Sequence, residues 1–262
     1  GTLYMVGRRH REAPPVLYAL TPMLDVKWRC ELGALQKDEF GMTPRARAEL
    51  ALRSDGAIVV GLGDGRLCCV NPPGKLLWNR AIPTKAQRKE NDWVHITPAP
   101  AVGKDDMIYI SSPYGEVCAI GTAGQILWRH WPKHLKKNFY VFGPPAIGED
   151  GTVYTIFAGH QLTALSPKGQ IFWKYALPDK CEFLDNPVIT ADQGLVLTMW
   201  GTKTFDWFYY RFSPDGKKVQ RCDGGWAVHM TPAPREGIVY APTAGLSAID
   251  TTRWSAVKQG DR

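Results

Sequence analysis

Long apolar runs are missing from this chain of 262 residues. No stretch approaches the roughly 18 residues a membrane-crossing helix needs, so no transmembrane segment is expected. Cysteine is sparse and unpaired in spacing. The six stand at 30, 68, 69, 118, 181 and 222, and no C-x-x-C occurs, which argues against a structural zinc site. The phosphate-binding Walker loop, the G-x-S-x-G elbow and the H-E-x-x-H zinc motif are all absent, which removes the commonest signatures of nucleotide, acyl-transfer and metalloprotease chemistry. Gly61, Gly63 and Gly65 are spaced like a dinucleotide loop but open no helical pattern, so they read as a strand-to-strand turn. His130 and His134 are four apart, but Pro132 between them breaks the helix a metal pair would need. Acidic excess is lacking too: 32 Lys and Arg outnumber 25 Asp and Glu, for a net charge of +7. That balance is basic enough to favour acidic partners and modest for a nucleic-acid binder.

What the chain has in quantity is turn residues, 26 Gly and 20 Pro, and a repeated phrase. The phrase runs from a proline through small apolar residues to an acidic-Gly turn, a β-branched run, a second glycine and Leu-x-Ala-Φ. A Pro/Gly turn and a tryptophan close it. The clearest copy spans Gly143 to Trp173, with others from Thr97 to Trp128 and from Ser54 to Trp78. The repeat tryptophans fall at 28, 78, 128 and 173, spaced 50, 50 and 45 residues. A period of this length, with about four short strands in each unit, indicates a β-propeller.

The Leu-x-Ala-Φ strand recurs six times, at 17–20, 67–70, 117–120, 162–165, 209–212 and 246–249. The expected fold is therefore all-β, a propeller of about six four-stranded blades in one domain over residues 1–262. Gly1-Thr2-Leu3-Tyr4 matches Gly151-Thr152-Val153-Tyr154, the second strand of a repeat. The first blade is accordingly expected to be incomplete at its N-terminus, and the chain to be a piece of a longer one. The residues from Ser255 onward are one candidate for its missing strand. Gln220 replaces the tryptophan in the fifth copy, and Trp254 arrives three residues early in the sixth. The vicinal Cys68-Cys69 occupies the tightly packed Leu-x-Ala positions, where a thiol serves as a small apolar side chain.

This phrase resembles the pyrroloquinoline-quinone-like repeat of quinoprotein-type propellers. The group includes quinone-dependent alcohol and glucose dehydrogenases. It also includes the non-enzymatic lipoprotein of the outer-membrane assembly machinery, along with sensor and scaffold domains. The dehydrogenases carry an acidic calcium cluster that has no counterpart motif here, so the resemblance implies the non-enzymatic branch and a cell-envelope, periplasmic or extracellular location. Pyrroloquinoline quinone with calcium is kept as the alternative cofactor, with an oxidoreductase or its inactive remnant as the alternative function.

In an up-and-down blade, the loops entering the first strand and joining the second to the third share one face. Those loops are long here, and long loops tend to carry function. They are basic, with Arg8-Arg9-His10-Arg11, Lys85, Arg88, Lys89, Lys133, Lys136 and Lys137, and aromatic, with Trp93, Trp131, Trp200, Trp207 and Trp226. Trp93, Lys133, Lys136, Lys137, Trp207 and Trp226 are the candidate partner-binding face. An echo is sharper: Trp93-Val94-His95-Ile96-Thr97-Pro98 returns as Trp226-Ala227-Val228-His229-Met230-Thr231-Pro232. His95 and His229, with Tyr140, Glu182, Asp185 and Asn186 at related positions, are the candidate ligand site at the channel mouth. The expected function is a non-catalytic binding, scaffold or sensor domain. Its partner would be a protein or peptide, or else an anionic or carbohydrate ligand. Nucleic-acid binding through the basic loops stands as a further alternative.

Overall fold

The computed structural model describes residues 1–10, 12–36, 48–82, 99–111, 116–131, 143–157, 161–176, 181–183, 187–201, 206–223, 231–232, 238–242, 246–251 and 255–256. Every regular element among them is a β-strand, apart from a lone 3-10 assignment at Thr251. The first sheet holds β1 (Leu3–Gly7), β2 (Val16–Leu20) and β3 (Val26–Glu31) in that order. The second runs β4 (Ala48–Leu52), β5 (Ile58–Leu62), β6 (Arg66–Val70) and β7 (Leu76–Ala81). The third and fourth repeat that order with β8 (Ala99–Val102), β9 (Ile108–Ser111), β10 (Val117–Ile120) and β11 (Ile126–His130), then β12 (Ala146–Ile147), β13 (Val153–Phe157), β14 (Gln161–Leu165) and β15 (Ile171–Ala176). All six Leu-x-Ala-Φ copies are strands, and among the described residues the first sheet holds three strands.

The fifth blade departs from the pattern at its inner edge. β16 (Cys181–Phe183) and β17 (Val188–Ile189) both pair with the long β18 (Leu195–Gly201), which continues to β19 (Trp207–Phe212) and β20 (Val219–Asp223). The sixth sheet is β21 (Thr231–Pro232), β22 (Ile238–Pro242) and β23 (Leu246–Asp250). Its early Trp254 precedes β24 (Ser255–Ala256), which pairs with β20 through Gln220 and Arg221. So the described part of the C-terminal stretch adds to the outer edge of the fifth blade rather than to the first. A free outer edge offers unpaired backbone groups, and β24 satisfies some of them.

The repeat phrase has a physical logic. Middle strands such as β5 and β6 are buried throughout and purely apolar or nearly so, whereas the outer β15 is mostly exposed. Between third and fourth strands the register slips at the same place in three blades, skipping Lys27, Leu77 and Phe172. Such a bulge re-aims the next side chain. That side chain is the tryptophan, and it is paired with the small residue of Leu-x-Ala: Trp28 with Ala19, Trp78 with Cys69, Trp173 with Ala164. The indole then reaches the following blade. A Cβ built on Gly74, Gly124, Gly169 or Gly216 would stand 2.7–3.0 Å from the ring of Trp28, Trp78, Trp128 or Trp173 respectively. Three of these indoles also donate Nε1–H to a turn carbonyl: Trp78 to Thr122 at 2.9 Å, Trp128 to Pro167 at 2.8 Å and Trp173 to Pro214 at 3.0 Å. In the first blade the equivalent turn residue is Leu24, left-handed at φ 69° and largely exposed.

In the fifth blade the same place is polar. Arg211 stands where a small residue, alanine or Cys69, stands elsewhere and pairs across the sheet with Gln220. Its guanidinium donates to Gln220 Oε1 at 3.2 Å and forms an ion pair with Asp192. Burial pushes the Asp192 carboxyl up, but the Thr190 hydroxyl, Arg211 and the Gly194 N–H outweigh it and hold the group below the ordinary value. The missing tryptophan is thus replaced by a charged network.

The chain divides into two compact units, Gly1–Ser112 with Ile120–Leu127, and Pro113–Ala119 with Trp128–Arg262. In the first, Leu17, Cys30, Leu32, Ile58, Val60, Leu62, Cys68 and Val70 form a core between the first and second blades. In the second, Tyr154, Ile156, Leu162, Leu195, Leu197, Met199 and Phe212 are part of the core between the fourth and fifth.

Candidate functional site

Of the candidate residues, Trp93, His95, Lys133, Lys136, Lys137, Tyr140, Asp185, Asn186, Trp226 and His229 lie outside the described residues. The backbone of Glu182 and the whole of Trp207 are described, on β16 and β19, the two strands that flank β18 at one end of the fifth blade. The two-part inner edge explains how. β18 runs seven residues, longer than the corresponding strands β5 and β13, and its last turn of pleat is covered by β16 instead of β17. The register sets Glu182 opposite Trp200, and Trp200 opposite Trp207. Directly opposed residues of an antiparallel sheet share a face, which brings Trp200 and Trp207 together. The two half-buried indoles stack with centroids 6.2 Å apart and planes 25° off parallel. One step along, the Arg221 guanidinium lies 4.4 Å from the centroid of the Phe208 ring, a cation–π contact. Sequence reasoning singled out Trp200 only as one loop aromatic among several. Its pairing needed the register, which the degenerate fifth repeat conceals.

A second cluster lies in the third blade. Glu116 is buried and accepts from Arg129 Nε at 3.0 Å and from the Cys118 thiol at 3.2 Å. Arg129 also sits 5.2 Å from the Trp131 ring centroid. Burial pushes the Glu116 carboxyl above its ordinary value; the Cys118 hydrogen bond and Arg129 offset only part of this. The folded state therefore binds this proton more tightly than the unfolded chain does. Its contribution to stability is greatest below the ordinary carboxylate value and falls as pH rises through the window between that value and the raised one. Asp106, Asp192 and Asp215 are shifted down instead, and what they contribute is lost only as pH falls below the ordinary range. Thermal melts of wild type and Glu116→Gln across both windows separate the two effects. The decline in the upper window should disappear in the variant, while the acid-side loss persists.

The thiols of Cys30, Cys68, Cys69 and Cys118 are buried and free, and burial raises all four, Cys68 and Cys118 to about 12. Thiols held so far from ionisation are poor nucleophiles. Cys68 and Cys69 are adjacent on β6 with no exposed surface, packed in a core rather than lining an opening. They do not fit a place beside a bound quinone. Among the described residues, no three His, Cys, Asp or Glu side chains come together as metal donors. No described helix is long and apolar enough to span a membrane.

Residues 23–128 match the family model described as outer membrane protein assembly factor BamB. Among solved structures it is similar to BamB from Moraxella catarrhalis, with 16% identity, a TM-score of 0.60, and coverage of 95% of this chain and 71% of that one. It is also similar to a protein of unknown function from Bacteroides caccae, with 12% identity, a TM-score of 0.53, and coverage of 98% and 94%. A third is BBS1N, solved in complex with ARL6DN, with 16% identity, a TM-score of 0.53, and coverage of 92% and 73%. At these identities the likeness shows the β-propeller fold. No curated protein gives a match.

Proposed function

We propose that this PQQ-like propeller is a non-catalytic binding scaffold of the cell envelope that engages a protein or peptide partner through its long-loop face. The observation that carries the reading is the Trp200–Trp207 stack at the end of the fifth blade, set in register with Glu182. Partly exposed, rigid aromatic pairs beside charged groups are the usual anchors of protein interfaces. The family description supports an assembly role in the envelope, and BBS1N was solved in complex with ARL6DN. Lys133, Lys136 and Lys137, with Trp93 and Trp226, would supply the basic and aromatic rim. The His95 and His229 pair, with Tyr140, Asp185 and Asn186, would line the mouth and take the partner's polar groups.

The test is cross-linking in cells from a photoreactive residue placed at Trp207, with one placed at Leu77 on the exposed outer strand β7 as control. A discrete adduct from position 207 alone is expected. Equal adducts from both positions, or none from 207, would overturn the reading. With the partner identified, Trp207→Ala should weaken binding by about thirtyfold, as anchor truncations do. Lys133→Glu/Lys136→Glu/Lys137→Glu should chiefly slow association and flatten its salt dependence.

A further inference from the structure

The fourth and fifth blades meet at a joint where both partners depart from the repeat. In the first four blades the turn between third and fourth strands closes on the carbonyl four residues on: Thr21 to Asp25, Asn71 to Lys75, Gly121 to Gln125, Ser166 to Gln170. In the fifth it closes one residue later, from the Ser213 N–H to the Lys218 carbonyl at 2.9 Å. The strand that follows makes up the difference. β19 and β20 pair without a slip from Phe212 with Val219 to Phe208 with Asp223. The residue that forms a bulge in other blades has therefore moved into the turn, and the turn gains a second lysine. Lys217 and Lys218 are both exposed, Lys217 with 82% of its side chain in solvent. Internal bonds fix the loop: Asp215 Oδ1 accepts the Ser213 hydroxyl at 2.5 Å and the Lys217 N–H at 3.1 Å, and Ser213 Oγ accepts the Lys218 N–H at 2.9 Å.

On the other side of the joint stands Phe172, the residue skipped by the β14–β15 register. It is 59% exposed, and its neighbour Ile171 is 44% exposed. The first and second blades have Lys27 and Leu77 at that place. Trp173, next in the chain, seats on the lysine turn: its indole donates to the Pro214 carbonyl at 3.0 Å, and a Cβ on Gly216 would stand 2.7 Å from its ring. Phe172 and Lys217 are thus each one residue away from a direct contact. Lys168 in the preceding turn and Lys174 on β15 are exposed as well. Across residues 166–176 and 213–218, Asp215 is the one acidic residue against four lysines. The acids of the fourth blade, Glu149 and Asp150, belong to its inner hairpin, β12–β13.

We propose that this rim docks on an anionic phospholipid surface, with Phe172 and Ile171 entering the headgroup boundary and Lys168, Lys174, Lys217 and Lys218 facing the lipid phosphates. Protruding apolar side chains framed by basic ones fit a bilayer, which deforms around them while its surface potential draws in the lysines. A protein partner would need a pocket cut to Phe172, and lysine is depleted from protein interfaces. A second copy of this rim would set lysines against lysines. Trp207 opens β19 and the Ser213 turn follows its far end, so this surface is separate from the Trp200–Trp207 end and does not rest on what that end binds.

The test is co-sedimentation of the 262-residue protein with vesicles of phosphatidylcholine alone and of phosphatidylcholine mixed in equal parts with phosphatidylglycerol. Binding to the mixed vesicles alone is expected, and added salt should weaken it. Lys217→Glu/Lys218→Glu should weaken partitioning by about twentyfold or more, at roughly fivefold for each lysine near an anionic surface. Phe172→Ser should weaken it by about fivefold or more through the lost apolar contact. Both variants alter exposed side chains and should keep the wild-type thermal midpoint. Trp207→Ala should leave vesicle binding unchanged, so this result and the scaffold reading fail separately. No binding to the mixed vesicles, or equal binding to both kinds, would overturn the proposal. Polyglutamate that binds wild type and Phe172→Ser alike and displaces the vesicles would overturn it in favour of an acidic polypeptide.

Discussion

Trp78→Ala should lower the unfolding free energy by about 3–5 kcal/mol, the range of large aromatic truncations in a packed interior. Trp78 is 9% exposed, is paired with Cys69, donates to the Thr122 carbonyl at 2.9 Å and fills the space against Gly124. The substitution removes all three at once and opens a cavity where two blades meet. Its neighbour Leu77, skipped by the bulge and 49% exposed, is the internal control. Leu77→Ala should change stability by no more than about 0.5 kcal/mol. Gly124→Val attacks the same lock from the other side. A Cβ there would lie 3.0 Å from the Trp78 ring, and a β-branched residue is strained at φ 82°. The double variant Trp78→Ala/Gly124→Val should cost less than the sum of the singles, because the cavity left by the indole admits the added methyls. Urea denaturation followed by circular dichroism reads all four. Full additivity would show that the ring and the glycine do not meet in solution.

The second large effect is electrostatic. Arg66→Met should destabilise by about 3–5 kcal/mol, the range for stranding one partner of a buried ion pair. Arg66 and Asp64 are 8% and 1% exposed in their side chains and bond at 2.7 Å. The guanidinium also donates to the Leu32 and Ala34 carbonyls at 3.1 and 2.9 Å, tying the exit of the first blade to the hairpin of the second. Asp64 in turn accepts the Gln36 N–H at 3.0 Å. Without Arg66 the carboxylate remains buried with no counter-charge. Asp64→Asn/Arg66→Met removes both charges and should recover part of the loss, since the neutral pair leaves only hydrogen bonds unmade. If the double variant is no more stable than Arg66→Met, packing of the arginine stem, not charge, holds the joint together.

Much of the blade structure was legible because one short phrase encodes several physical requirements together. Leu-x-Ala-Φ marked a buried strand and the Pro/Gly turn marked its reversal. The tryptophan marked the plug, and the alanine proved to be the small residue that plug is paired with. The place of β1 as a second strand followed from the match of Leu3-Tyr4 to Val153-Tyr154. Where the phrase decays, legibility ends. Gln220 and Arg211 read as a lapse in the repeat, yet together with Asp192 they form a network that only the fold brings together, since Asp192 lies 19 residues upstream of Arg211. The pairing of β24 with β20 was hidden for the same reason: two residues, Ser255 and Ala256, carry no pattern. Of the candidate site, Glu182 and Trp207 were chosen for loop position and residue type. Their common rung with Trp200 depends on the split inner edge of the fifth blade, for which no spacing rule exists. The histidine echo falls outside the described residues, so its reading rests on sequence alone.

Each tryptophan reaches forward, never back: Trp28 to the turn of Gly74, Trp78 to that of Gly124, Trp128 to that of Gly169, Trp173 to that of Gly216. The turn of the first blade, carrying Leu24 in the place of those glycines, receives no such ring among the described residues. This gives the array a grammar for growth by gene duplication. An interior unit copied whole brings both its own indole and its own receiving glycine, so it can be spliced between two others without inventing a new joint. An indole directed at the turn of the first described blade would meet Leu24 where the later turns offer a glycine, so that turn is the one joint in the series that a copied unit could not use unchanged.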